Sequence, residues 1–122
     1  MEDVSYGKRK FSVDSAESGE ECIEKLLKER YDVILLDYSL PKMSGLDVLA
    51  KIIEDEYDAP VIMVTGRGDE ETAVKAMKWG ATDYIVKSGD YLKTLPLCIQ
   101  NVVAQYEMKK VSVVNRENLM KL

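Results

Sequence analysis

Residues 32–45 read DVILLDYSLPKMSG and place a carboxylate directly after the most hydrophobic run of the chain. The continuous apolar run at residues 33–36 is typical of a strand that is buried on both faces. Asp37 follows this run, and a loop with Pro41 and Gly45 comes next. Burying an unpaired charge is energetically costly. We therefore expect Asp37 to lie at the carboxyl end of the strand, to be paired with a cation, or to take part in a reaction.

The composition bounds the class of protein. The chain has 122 residues, 46% of them hydrophobic, which predicts one globular domain over residues 1–122. A net charge of -5 gives no electrostatic case for binding nucleic acid or an anionic membrane. No apolar run approaches the ~20 residues of a membrane helix, and no signal-peptide pattern opens the sequence. Cys22 and Cys98 lie in apolar helical patterns, so we expect buried thiols and a reducing, cytoplasmic location.

The sequence contains no histidine. This excludes a Ser-His or Cys-His catalytic centre and any histidine metal ligand. Phosphohistidine chemistry, if it occurs, must therefore involve the histidine of a partner protein.

Short β-like runs alternate with amphipathic helical patterns along the chain. We predict helices that begin after Ser18 and after Ser44, each with an acid at the third helical position, as in a capping box. The remaining elements are predicted strands at 10–15, 32–36, 61–65 and 83–87, and helices at 69–79 and from Thr94 to 110. This alternation predicts a doubly wound α/β fold with a parallel sheet, whose reactive crevice lies at the carboxyl ends of the strands.

Three predicted strands end on polar residues with complementary chemistry, namely Asp37, Thr65 and Lys87. A carboxylate is a competent nucleophile towards phosphoryl groups, while a hydroxyl and an ammonium group can hold the added phosphoryl oxygens. The alternative is ordinary polarity at strand ends, with Lys87 simply neutralising Asp37. Because all three residues stand at the same end of neighbouring predicted strands, we favour the interpretation that they form a site that binds a phosphoryl group.

The segments DVILLDYSLPKMSGLDVL, PVIMVTG and AVKAMKWGATDYIVK resemble the response-regulator receiver domains of two-component signalling. The resemblance covers about residues 10–108 and leaves residues 109–122 as a tail. It implies a flavodoxin-like, CheY-like three-layer sandwich. It also implies a non-enzymatic domain that signals by protein contact.

The resemblance assigns a role to several individual residues. The resemblance implies that Asp37 is the phosphoacceptor and that Thr65 and Lys87 contact the phosphoryl group. It implies that Gly66 is the small residue whose backbone binds the phosphoryl group and that Tyr84 is the aromatic residue that moves on activation. It also implies that the Ser39 carbonyl is a magnesium ligand. Ser88 stands where the family usually has proline, which puts the usual cis bond after Lys87 in doubt.

Receiver domains open with a strand that ends in a pair of acids, which supply the other carboxylate ligands for magnesium. This sequence opens MEDVSYGKRKFSVDS, and we read Glu2 and Asp3 as solvated terminal charges. We therefore expect that the first strand and the acidic pair are missing. With Asp37 as the clear carboxylate, Mg²⁺ binding should be weak or absent.

The tail offers a replacement for that strand. Residues 110–122 read KVSVVNRENLMKL, and the β-branched run at 111–114 predicts a strand that fills the vacant central position in its own or a neighbouring subunit. The fold would then be circularly permuted or strand-swapped, with Asn115 and Arg116 where the acidic pair would stand. Alternatively the tail continues the last helix as a linker or coiled coil, since Tyr106, Val113 and Met120 have heptad spacing.

Two functions remain open at this point. In the first, Asp37 accepts a phosphoryl group from a partner histidine kinase or phosphotransfer protein, and a downstream protein reads the change. In the second, the domain binds partners or forms a homodimer without phosphorylation. A hydrolase with an aspartate nucleophile is a third reading, but it generally needs an acid two residues after Asp37, where Ser39 stands.

Overall fold

A computed structural model describes residues 2–6, 9–40, 42–66 and 70–120. Strands and helices alternate after an initial pair of strands. The elements are β1 (Glu2–Tyr6), β2 (Arg9–Val13), α1 (Gly19–Lys28), β3 (Ile34–Asp37), α2 (Gly45–Glu54), β4 (Val61–Thr65), α3 (Glu70–Trp79), β5 (Asp83–Val86) and α4 (Tyr91–Met120). No helix in these ranges is long and apolar enough to cross a membrane.

A parallel sheet carries the centre of the fold. Its three strands lie in the order β3-β4-β5, so β4 is paired on both sides and all five of its residues are buried. Such double-sided burial explains why β4 reads as an uninterrupted apolar run. The α/β class and the parallel sheet are as the sequence predicted.

The apolar core lies between this sheet and helices α1, α2 and α3. Leu49 and Met63 have no exposed surface, and the α1 side chains Cys22, Ile23 and Leu26 pack against the same cluster. On β3 the side chains alternate, with Ile34 and Leu36 buried and Leu35 43% exposed. The core therefore forms on one face of β3, and the other face remains partly open.

Serine caps begin α1 and α2, as predicted. Ser18 accepts a hydrogen bond from the Glu21 backbone at 3.2 Å, although the Glu21 carboxylate accepts from the Glu17 amide rather than from Ser18. The second cap is a complete capping box between Ser44 and Asp47. Both helices thus satisfy part of their free amino-terminal N–H groups locally.

The amino-terminal strands differ from the prediction. The strand predicted at 10–15 exists as β2, but it pairs antiparallel with β1 in a separate sheet, and β1 was not predicted. An antiparallel hairpin needs only a short connection, whereas a parallel partner requires a long crossover, so local pairing costs less loop entropy. Glu2 and Asp3 belong to β1, and their side chains lie outside what the structure describes.

Polar contacts hold the end of the hairpin against the α/β unit. Asp14 follows β2 and accepts hydrogen bonds from the Lys25 ammonium group at 2.9 Å and from the Tyr31 hydroxyl at 2.5 Å. The hydrogen bond from Tyr31 and the Lys25 charge lower the pKa of the Asp14 carboxyl. The hairpin is therefore joined to both α1 and the segment that enters β3.

The carboxyl-terminal tail is helical, not a strand. The prediction of a strand at 111–114 is wrong, because α4 continues through these residues to Met120 and carries Asn115 and Arg116. Extending a formed helix adds a hydrogen bond per residue without a new nucleus, which here outweighs the β propensity of valine. The helix also begins at Tyr91 rather than at Thr94, and it contains Pro96.

Tyr106 on α4 provides a prediction about alkaline stability. Burial and a 2.8 Å hydrogen bond to Asp58 raise the pKa of Tyr106 from 10 to about 12. Because the folded state favours the protonated phenol, its stabilisation is full below pH 10 and is lost as the pH rises towards 12. Urea unfolding between pH 9 and 12 should show a steeper loss of stability for the wild type than for Tyr106→Phe. Parallel curves for the two proteins would contradict this assignment.

Candidate functional site

The carboxyl ends of β3, β4 and β5 meet at one edge of the parallel sheet. Asp37 is the last residue of β3 and is in register with Val64, while Thr65 ends β4 in register with Val86 of β5. Lys87 follows Val86 directly, and its backbone N–H donates to the Thr65 carbonyl at 2.7 Å. The three strand ends predicted to converge are therefore neighbours.

The Asp37 carboxylate is held through both of its oxygens. Oδ1 accepts a hydrogen bond from the Ser39 backbone N–H at 2.9 Å, and Oδ2 accepts from Lys87 Nζ at 2.5 Å. The first contact is an Asx turn, in which an aspartate binds the backbone two residues further on. Since 35% of the Asp37 side chain is exposed, the carboxylate is both oriented and accessible from solvent.

Lys87 is the cationic partner of this carboxylate. The hydrogen bond that Lys87 donates to Asp37, more than any other influence, raises the pKa of the Lys87 ammonium group above its ordinary value. Lys87 therefore carries a full positive charge next to Asp37 at neutral pH, because its pKa is raised. Separately, the described residues contain no cis peptide bond, so the bond between Lys87 and Ser88 is trans.

Thr65 lies beside this pair, but its hydroxyl is engaged elsewhere. The residue is 1% exposed, and Oγ1 donates to the Ile85 carbonyl of β5 at 3.5 Å. Gly66 follows β4 and is half-buried. Tyr84 lies on β5 opposite Met63 and is 42% exposed. The structure therefore brings the side chains of Asp37 and Lys87 into contact, with Thr65 beside them and its hydroxyl bonded to β5.

The donors near Asp37 fit a magnesium ion only in part. Mg²⁺ takes oxygen ligands, usually one or two carboxylates with water and phosphate oxygens. The predicted ligands are the Asp37 carboxylate and the Ser39 carbonyl, and the Lys87 ammonium group occupies one carboxylate oxygen. Within the described ranges there is no group of three or more His, Cys, Asp or Glu side chains placed to hold a metal.

Sequence reasoning missed two contributions to the site. Ser39 was considered for its carbonyl, whereas its N–H binds Asp37. Gly45, the first residue of α2, was noted only as a loop residue, yet its N–H donates to the Tyr38 carbonyl at 2.9 Å. The available signal was a glycine directly after the Ser44 cap, where a better helix former would ordinarily stand.

A comparison with protein-family models places this arrangement in a known family. The model described as "Response regulator receiver domain" matches residues 4–95, which is more than half of the chain. The match contains all the residues that the sequence motifs single out at the strand ends.

Several relatives are similar to this chain. The protein-glutamate methylesterase/protein-glutamine glutaminase of Archaeoglobus fulgidus is 37% identical over 116 residues, 90% of this chain and 33% of that protein. Regulatory protein LuxO of Vibrio cholerae is 34% identical over 99 residues, 81% of this chain and 22% of that protein. The chain thus spans about a third or less of the length of these two relatives.

Solved structures show the same fold. A response regulator receiver domain protein from Clostridium thermocellum has a TM-score of 0.67 and 32% identity, covering 76% of this chain and 75% of that one. The structure titled FixJ-N has a TM-score of 0.68 and 30% identity, covering 78% and 74% respectively. With its parallel sheet and its strand-end residues, the chain belongs to the response regulator receiver domain family.

Proposed function

We propose that this domain accepts a phosphoryl group on Asp37 from the phosphohistidine of a partner kinase or phosphotransfer protein. The observation that carries the proposal is the Asp37 carboxylate at the end of β3, oriented by the Ser39 N–H and paired with Lys87. The family membership supports a role in two-component signalling. The encounter with the kinase would take place in the cytoplasm, and the net charge of -5 favours protein partners over nucleic acid or an anionic membrane.

In the proposed step, one Asp37 carboxylate oxygen attacks phosphorus and forms a P–O bond. The P–N bond to the partner histidine breaks, and the leaving imidazole keeps the electron pair. The product is an acyl phosphate, and it needs no further reactant. Lys87 is already within reach of Asp37, so its ammonium group can pair with the developing negative charge on the phosphoryl oxygens.

The proposed switch begins at Thr65. To bind a phosphoryl oxygen, its hydroxyl must leave the Ile85 carbonyl of β5, a contact that at 3.5 Å is long and costs little to break. This movement frees the part of β5 next to Tyr84, whose side chain is already 42% exposed. A downstream protein would then read the changed position of Tyr84 on the surface of β5.

Magnesium, when bound, would offset charge on the transferring phosphoryl oxygens. The Asp37 carboxylate and the Ser39 carbonyl are the groups proposed to hold it. Since the cation Lys87 is paired with the same carboxylate, we propose weak magnesium binding and slow phosphorylation. We further propose that the acidic pair of the family is missing from this chain and that its absence is the reason for this weakness.

A second candidate is a phosphorylation-independent module that binds partners or forms a homodimer. The observation in its favour is that, among the described residues, β3 is an end strand in the order β3-β4-β5, and that its Leu35 side chain is 43% exposed on the face of the sheet. An exposed apolar strand edge is a template for pairing with another chain. Dimerisation through the predicted tail strand is not part of this proposal, because residues 111–114 are helical.

The deciding experiment is phosphorylation by acetyl phosphate, with and without magnesium, followed by intact mass spectrometry and peptide mapping. The proposed function predicts one added phosphoryl group on the peptide that contains Asp37. If no adduct forms under either condition, phosphoryl acceptance is wrong. Light scattering on the same samples measures the mass of the particle in solution. The second candidate function predicts a dimer, with the same mass whether or not acetyl phosphate is present.

A further inference from the structure

Helices α1 and α2 begin in the same way but meet different surroundings. Each has a serine cap followed by glycine as its first helical residue, Ser18-Gly19 in α1 and Ser44-Gly45 in α2. Both glycines are buried. Glycine is a poor helix former, so its presence at two buried helix starts requires a reason in the packing.

Gly45 lies against the backbone at the end of β3. A Cβ atom on Gly45 would lie 2.6 Å from the Asp37 carbonyl oxygen and 2.7 Å from the Tyr38 Cα. The Gly45 N–H donates to the Tyr38 carbonyl at 2.9 Å, which ties the two segments together at this point. Only a residue without a side chain permits this approach of α2 to the end of β3.

Gly19 lies instead against side chains. A Cβ atom there would lie 2.6 Å from Val48 Cγ2 and 3.1 Å from Met43 Sδ. A clash with side chains is relieved by repacking, whereas a clash with backbone requires a strand or helix to move. The two glycines therefore differ in whether a Cβ atom presses directly on the backbone of Asp37 and Tyr38 or on neighbouring side chains.

The segment that Gly45 closes is the one that orients the nucleophile. Residues 38–44 connect β3 to α2, and the Ser39 N–H within this connection fixes Oδ1 of Asp37. We propose that Gly45 is a positioning residue, whose missing side chain lets α2 close on β3 so that the Ser39 N–H aims the Asp37 carboxylate. This inference rests on the proposed phosphoryl acceptance for its kinetic consequence, but its structural consequence does not depend on that function.

A methyl group at Gly45 would push the connection away from the Asp37 backbone and disrupt the Asx turn. The carboxylate would then lose its fixed orientation relative to an incoming phosphoryl group. Misplacement of a reacting group by about 1 Å costs on the order of a hundredfold in rate. We therefore expect Gly45→Ala to lower the phosphorylation rate by about tenfold to a hundredfold.

The test compares Gly45→Ala with Gly19→Ala, which makes the same chemical change at the same helical position. Acetyl phosphate with magnesium is the probe, and intact mass spectrometry gives the rate of adduct formation for each protein at matched folded fraction. Nuclear magnetic resonance gives a second readout, the hydrogen exchange of the Ser39 amide. We expect Gly45→Ala to slow phosphorylation and expose the Ser39 amide, and Gly19→Ala, whose Cβ meets only side chains, to change both much less.

Equal rates and equal Ser39 protection in the two variants would overturn the proposal. If Gly45→Ala does not fold, Ser39→Pro removes the same N–H from the exposed connection and should give the same loss of rate; a wild-type rate there would also overturn it. If the wild type itself takes no phosphoryl group, the proposed function fails. The Ser39 exchange measurement then still decides whether Gly45 positions the carboxylate.

Discussion

Asp37→Asn is expected to abolish the phosphoryl adduct completely. Asparagine keeps the shape of the side chain and can accept the Ser39 N–H through its amide oxygen, but it has no carboxylate to attack phosphorus. Lys87 loses its anionic partner in the same variant, so its raised pKa should return towards the ordinary value. Intact mass spectrometry after treatment with acetyl phosphate measures the adduct directly.

Asp32→Asn is the matched control for this experiment. Asp32 is an exposed acid at the opposite end of the same hydrophobic run, so it tests whether any carboxylate in this segment can be phosphorylated. The control should take up a phosphoryl group at the wild-type rate. An adduct that survives in Asp37→Asn and disappears in Asp32→Asn would show that the nucleophile has been assigned to the wrong end of the strand.

Leu49→Ala is expected to lower the free energy of unfolding by about 2–5 kcal/mol. Leu49 lies on α2, has no exposed surface and belongs to the core cluster that packs α2 against the parallel sheet. Its truncation removes buried methyl groups and leaves a cavity, because the surrounding strands and helices can close it only in part. Urea unfolding monitored by circular dichroism gives the change.

Leu27→Ala makes the same substitution on the surface of α1. Leu27 is 76% exposed, so the change should alter the free energy of unfolding by no more than about 0.5 kcal/mol. Similar losses in the two variants would mean that the core is not centred on α2 and the sheet. A loss in Leu27→Ala alone would place a further packing partner on the exposed side of α1.

The sequence was sufficient for the parts of the fold that follow from local pattern. The continuous apolar runs predicted β3 and β4, and the serine caps predicted the starts of α1 and α2. The convergence of Asp37 and Lys87 was also predictable, because parallel strands place their carboxyl ends at one edge. The roles of these residues remain predictions that phosphorylation experiments must test.

Features that depend on pairing or close approach were not predictable in the same way. Whether residues 9–13 join the parallel sheet or pair with residues 2–6 depends on which partner strand is available, and the sequence pattern is the same for both. Valine at 111–114 favours a strand locally, but a helix already formed from Tyr91 extends through it. The contact of Gly45 with the end of β3 involves backbone atoms, so the only sign of it in the sequence is that residue 45 is a glycine.

Helix α4 is the longest helix that the structure describes, with 30 residues. It begins at Tyr91, four residues after Lys87, and is attached near its middle by the Tyr106 hydroxyl to Asp58. Fifteen residues, or about 22 Å, separate Tyr91 from Tyr106, and fourteen, or about 21 Å, separate Tyr106 from Met120. The contact between Tyr106 and Asp58 therefore ties the middle of this long helix to the loop that precedes β4.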